Sequence, residues 1–241
     1  VYNDWESLKK LLVEINNNIK EIKNVIIECL IINDASTIEQ PKLRKPKKIK
    51  SIKILNMIEN RGHARCNAFA IRYAHINEKF NHLILMDGDG EDRPAEIKSL
   101  IKKAIENPKN SVVAKRIKRS EGPIFKFLYI MHKLITRLFT GKNINFGNYS
   151  CLTFKDVRLL STKAALWSSY SGTVKKNLMN LKEIDSIRGT RYYGPSKMSL
   201  YKLLIHSFSI IAVYKYQVMI RAILFIFVLI LLESTLGSIS N

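Results

Sequence analysis

Leu8, Leu11, Leu12, Ile15 and Ile19 recur at helical spacing behind a polar opening, so residues 5–20 are predicted to form an amphipathic helix. Residues 25–32, VIIECLII, are a β-branched run ending at Asn33-Asp34-Ala35-Ser36. That is the pattern of a buried strand delivering polar groups at its C-terminal end. Residues 39–50 hold two prolines and six Lys or Arg and read as an exposed loop. A second strand is predicted at 52–57, a helix at 62–75, and a third strand at 82–86 that runs straight into Asp87-Gly88-Asp89. Pro94 suits the first turn of a helix ending near Asn107-Pro108, and 111–114 forms one more strand. Strand and helix alternate throughout, which predicts a mostly parallel α/β sheet with flanking helices.

The second half is less regular. Residues 124–140 read as a long apolar and basic helix, and 145–154 as a polar turn leading into a strand. From Leu203 onward charges are sparse, and 222–232 is eleven unbroken apolar residues. A full membrane span needs about 20 residues, and 218–232 approaches it with Arg221 near its edge. At the end of an already complete α/β domain such a helix has nothing left to pack against. The expected division is a catalytic domain over 1–200, then a juxtamembrane segment and membrane helix over 201–241. Lys202, Lys215 and Arg221 precede the apolar run and only Glu233 follows it, so the positive-inside rule puts the domain in the cytoplasm.

Composition narrows the chemistry. Forty Lys and Arg against twenty Asp and Glu give a formal charge of +20, which calls for a polyanionic partner: nucleic acid, an anionic membrane face or phosphorylated substrates. Cys29, Cys66 and Cys151 follow no metal or disulfide spacing and fit a reducing compartment. The five histidines show no metal-ligand pairing and are expected to be structural or on the surface.

Asp87-Gly88-Asp89 is the sharpest signal. Two carboxylates at i and i+2, at the mouth of an apolar strand, can converge on one hard cation, Mg²⁺ or Mn²⁺, that keeps positions open for substrate phosphates. Glu91 and Asp92 add carboxylates close by. Ligands of α/β sheets bind beyond the carboxyl ends of the strands, which is where these residues fall.

In chain order, Val1-Tyr2-Asn3-Asp4, Asn33-Asp34-Ala35-Ser36, Asn60-Arg61-Gly62 and Asp87-Gly88-Asp89 resemble the motifs of the family 2 glycosyltransferases, nucleotide-sugar enzymes of the Rossmann-like GT-A fold. Arg191-Tyr192-Tyr193-Gly194-Pro195-Ser196-Lys197 ahead of an apolar helix resembles the polyprenyl-phosphate branch, which includes dolichyl-phosphate mannose synthases. The resemblance implies that Tyr2, Asp4 and Asp34 line the nucleotide pocket, with Asp34 on the base. It implies that Asp87 and Asp89 hold the metal on the diphosphate, with Glu91 a further ligand. Arg116, Arg119, Arg191 and Lys197 would contact donor or acceptor phosphates, and Asp89 and Arg191 would carry catalysis. In this family the loop at Val1–Asp4 follows a central strand, so an apolar strand upstream of Val1 is expected, and residues 1–241 alone are expected to be poorly stable.

The function expected is metal-dependent, inverting transfer of a sugar from a nucleotide diphosphate to a polyprenyl phosphate at the membrane. Such an acceptor is already ionised at neutral pH and needs cations more than a general base. A saccharide hydroxyl acceptor would need a base, and Asp156, Glu183 and Asp185 are the only acidic residues between 122 and 232, none of them in a motif. A basic nucleic-acid-binding module is the alternative from another class. It would need basic residues interleaved with exposed aromatics or a known module, and without a metal the 87–92 carboxylates would repel phosphate. A catalytically inactive scaffold is the third reading.

Overall fold

The computed structural model describes residues 1–118, 123–194 and 200–239, side chains excepted at 118, 123–129, 132, 200, 202–203 and 236–239. Helix α1 (Trp5–Asn18) forms where the spacing predicts it and buries Leu8, Leu11, Leu12 and Ile15. Strands β1 (Ile27–Asn33) and β2 (Ile49–Asn56) pair in parallel. Helix α2 (His63–Asn77), strand β3 (His82–Leu85), a 3-10 turn at Pro94–Glu96 and helix α3 (Ile97–Glu106) follow. Then come β4 (Val112–Lys118), α4 (Pro123–Thr140), β5 (Phe146–Thr153), α5 (Phe154–Ser161), α6 (Tyr170–Asn177) and β6 (Lys182–Ile187).

The sheet is not mostly parallel. Its strands form a β1-β2 pair and a mixed four-stranded sheet of order β3-β5-β4-β6. β5 lies antiparallel to both β3 and β4, while β6 is parallel to β4. The chain passes from β4 through α4 and returns as β5 hydrogen-bonded to the strand it left, and strands that pair after such a return are antiparallel.

Helices cover both faces. α1 and α3 pack on Ile31, Ile49, Val112, Ala114 and Cys151, so one core spans both sheets. Ile71 of α2, Val157 and Leu160 of α5 and Val174 of α6 pack on Leu85, Val113 and Leu152. Val112 and Val113 thus serve opposite faces, as a pleated strand requires. Val1 extends the β1 side: its amino group donates to Ile32 O at 2.7 Å, and its carbonyl accepts from Asp34 N at 2.8 Å.

Two helices end the described chain. α7 (Leu200–Val213) docks through its C-terminal end, where Tyr214 donates to Gly172 O at 3.2 Å and Lys176 donates to Val213 O at 2.5 Å. α8 (Lys215–Ile239) holds a 21-residue stretch, Lys215–Thr235, long and apolar enough to cross a membrane and without burial against the rest of the chain.

Candidate active site

The carboxyl ends of β1, β3, β4 and β6 point to one edge, and the polar groups that the apolar strands deliver meet there. Asp34, just past β1, is buried, and its two carboxylate oxygens accept from Arg61 N at 2.8 Å and Gly62 N at 2.9 Å. Its charge thereby holds the entry of α2, where unpaired backbone N–H groups favour an anion. Asn3 ties the first loop to the β1 exit: Asn3 N donates to Ser36 Oγ at 2.9 Å, and Asn3 Oδ1 accepts from Thr37 N at 2.8 Å.

Past β3, the chain turns tightly through Asp87–Asp92. Asp89 Oδ1 accepts from Glu91 N at 3.0 Å, and Asp92 Oδ2 accepts from Asp87 N at 2.9 Å. Asp92 is 3% exposed, with Arg116 Nη2 3.7 Å from its other oxygen. Arg116 lies against Gly147, where a Cβ would meet Nη2 at 2.8 Å. Asp87 faces His63 Nδ1 at 3.6 Å and Asn148 Nδ2 at 3.4 Å, and Asn148 also reaches His63 Nε2.

The segment after β6 closes over this turn as a strap. Gly189 N donates to Glu91 O at 2.8 Å and Tyr192 N to Asp89 O at 2.9 Å. Arg188 pairs with Glu91. Arg191 bridges two acids, with Nη1 2.7 Å from Asp89 Oδ2 and Nη2 2.5 Å from Asp4 Oδ2. Tyr192 donates to Glu14 Oε2 at 2.6 Å, which anchors the strap to α1. A cleft of about 510 Å³ opens beside it, lined by Asn3, Asp4, Ile38, Pro41 and Tyr193.

The electrostatics follow from this packing. Asp4, Asp87, Asp89, Glu91 and Asp92 face three guanidinium groups, those of Arg116, Arg188 and Arg191. Burial, then the charge of Asp87, raises the Asp89 carboxyl above its ordinary value; burial raises Glu91 also, against the pull of Arg188. Asp92 is pushed up to about 8, by burial first and by Asp87 second. Like charges held in a poorly hydrated turn disfavour ionisation, and an added cation reverses that preference.

The structure brings Asp4, Asp87, Asp89, Glu91, Arg116 and Arg191 together around the turn after β3. Tyr2 stands exposed at the loop, and Asp34 is turned to the backbone of α2. Arg119 and Lys197 lie outside the described residues. Among the described residues no three His, Cys, Asp or Glu side chains form a ready-made metal cage, and Glu91 is turned to Arg188 rather than to Asp87 and Asp89. Two carboxylates with local negative charge in excess do fit Mg²⁺ or Mn²⁺, which typically take one or two protein carboxylates and complete their shell with substrate phosphates and water. His63, Asn148 and Arg188 carry no motif of their own. Only the position of Arg188 three residues ahead of Arg191 marks it in the sequence.

A search of curated proteins finds no match to this chain. Residues 1–164, from the first loop through α5, match the family described as Glycosyl transferase family 2, and they contain every acid of the cluster. The chain belongs to glycosyl transferase family 2 and is a glycosyltransferase, an enzyme that moves a sugar from a nucleotide-sugar donor to an acceptor.

Proposed function

We propose that this enzyme transfers a sugar, with inversion, from a nucleotide diphosphate to a polyprenyl phosphate at a membrane. The observation that carries the reading is Arg191. Its guanidinium sits among the acids of the turn, and the chain nine residues later enters α7 and then the apolar α8. In this reading the cleft beside Asp4 and Tyr193 takes the nucleoside, and its volume suits a ligand of that size.

Asp87 and Asp89 would hold a divalent ion, which stabilises negative charge developing on the leaving diphosphate. The protein's own part is cationic. Arg191 and Arg116 are planar donors suited to bidentate phosphate contact, and they hold two anions near each other without a strong base. Asp156 accepts from Ser111 Oγ at 2.5 Å, Glu183 pairs with Lys115 at 3.4 Å, and Asp185 is exposed on β6. An ionised lipid phosphate needs none of them as a base. The positive charges ahead of α8 favour a cytoplasmic catalytic domain.

One contact favours a second reading. His63 Nδ1 stands 3.6 Å from Asp87, beyond hydrogen-bond reach, and this imidazole beside the acids is the group that a hydroxyl acceptor would use as its base. The deciding experiment incubates the full chain in membranes with nucleotide-sugar donors, Mn²⁺ or Mg²⁺, and either polyprenyl phosphate or saccharide acceptors. A charged glycolipid product that persists in His63→Ala supports the lipid phosphate. Transfer to saccharide only, lost in His63→Ala, overturns it.

A further inference from the structure

Strand β5 brings to the mouth of β3 a polar side chain that no motif marks. The antiparallel register pairs Leu83 with Leu152 and Leu85 with Ser150. Carried beyond the end of β3, it sets Asn148 opposite Asp87, on the same side of the pleat as the Leu85–Ser150 pair. The side chains meet there. Asn148 Nδ2 stands 3.4 Å from Asp87 Oδ1, and the same nitrogen reaches His63 Nε2. Asn67, one turn further along α2, presents its own amide nitrogen to His63 Nε2 at 3.2 Å.

Chemistry fixes which atoms donate. An ionised carboxylate only accepts, so the Asn148 amide turns its nitrogen, and not its oxygen, toward Asp87. That nitrogen carries two hydrogens, one for Asp87 Oδ1 and one for His63. His63 Nε2 must then accept, which leaves the ring proton on Nδ1, the atom that faces the same Asp87 oxygen. Both neighbours of the carboxylate therefore address Oδ1, and neither addresses Oδ2.

We propose that Asn148 is a positioning residue for the metal site: its amide, held by His63, orients the Asp87 carboxylate so that Oδ2 is presented to the divalent ion shared with Asp89. The inference rests on the reading of Asp87 and Asp89 as the metal ligands. Hydrogen bonds to a ligating carboxylate hold it in the orientation that coordination needs. A neutral amide does this without adding a cation that would compete with the metal, in contrast to Arg191 at Asp89. The direction of β5 makes the contact: a parallel strand would bring its other end, residues 151–153, to this edge. One short segment then serves both sides of the site, since Gly147 makes room for Arg116 and Asn148 beside it holds Asp87.

The test titrates Mn²⁺ alone into the purified full chain in neutral detergent at pH 8, counting free ion by its electron paramagnetic resonance signal. Wild type is expected to bind Mn²⁺, and Asp87→Asn to lose it. Asn148→Leu, similar in shape but without the amide, is expected to weaken binding about tenfold, the scale for removing a hydrogen-bond partner of a metal ligand. His63→Ala, at a ring 54% exposed, should weaken it by less, and the double variant should add little to Asn148→Leu, because the histidine acts through the amide. Wild-type affinity in Asn148→Leu, with binding lost in Asp87→Asn, overturns the proposal and leaves the metal reading standing. Full additivity of the two substitutions also overturns it. A metal-free melt shows whether Asn148→Leu folds; if it does not, His63→Ala decides, and unchanged affinity there overturns the proposal. If wild type binds no Mn²⁺, or Asp87→Asn binds it equally well, the metal reading falls and the proposal falls with it.

Discussion

Arg191 and Asp89 meet at 2.7 Å across 102 positions of sequence, and the same guanidinium reaches Asp4 through its other nitrogen. One planar cation thereby joins the first loop, the turn after β3 and the strap after β6. Nothing but a forked donor spans the two acids in this way.

Arg191→Lys is therefore expected to lower turnover about a hundredfold, the usual scale for losing one aligned donor to developing charge. The ammonium keeps the charge but contacts one acid at a time. Turnover with saturating donor and a thermal melt check this together. A variant that keeps wild-type kinetics would reduce Arg191 to a structural clasp.

The raised carboxyls set a pH dependence. Asp92 moves from an ordinary 3.8 to about 8, so between those values the folded protein binds more protons than the unfolded chain. Stability from this group is thus present at low pH and lost as pH rises through about 8. Without divalent ions the protein is expected to melt lower at pH 8 than at pH 5.5, with the raised Asp89 and Glu91 contributing in the same direction. Added Mn²⁺ should raise the melting temperature more at pH 8 than at pH 5.5, and Asp89→Asn should remove most of that gain. An ion response equal at both pH values would contradict the proposed carboxylate site.

Ala35 holds φ of 56°, in the left-handed region, at the turn that leaves β1. That conformation costs a residue with a Cβ about 1–2 kcal/mol. Glycine relieves it but loses more chain entropy, so Ala35→Gly is expected to stabilise the protein by roughly 0.5–1 kcal/mol. Urea unfolding with unchanged slope checks this. Loss of stability would mean that the methyl group packs favourably enough to outweigh the strain.

Much of this architecture is legible locally. The i, i+3, i+4, i+7 spacing of Leu8, Leu11, Leu12 and Ile15 specifies which face of α1 is buried, and the β-branched run specifies β1. The direction of β5 is not legible, because an apolar strand reads the same in either orientation. The reversal is fixed by pairing with β3 and β4, which are distant in sequence. Asp87, Asp89 and Arg191 stand out through motif and strand position, whereas the pairing of Glu91 with Arg188 depends on a strap that folds back from 97 positions away. Two ionic side chains so far apart carry no sequence signal of their meeting.

That strap supplies the last prediction. Gly189 N donates to Glu91 O at 2.8 Å, and the close approach leaves no room for a side chain. A Cβ on Gly189 would lie 2.6 Å from Gly90 O and 3.0 Å from Arg93 Cγ. The first of these is backbone in a tight turn and cannot step aside as a flexible side chain does. Gly189→Ala must therefore lift the strap, at a cost of about 1–3 kcal/mol for an overpacked contact. The cores on α1 and α2 do not include position 189, so the domain should still unfold cooperatively. What changes is the reach of Arg191 to Asp89, two residues beyond the obstruction. Turnover is expected to fall by about as much as in Arg191→Lys, and combining the two substitutions should add little, because both remove the same contact. Full additivity in that double-mutant cycle would show that the strap and Arg191 act independently.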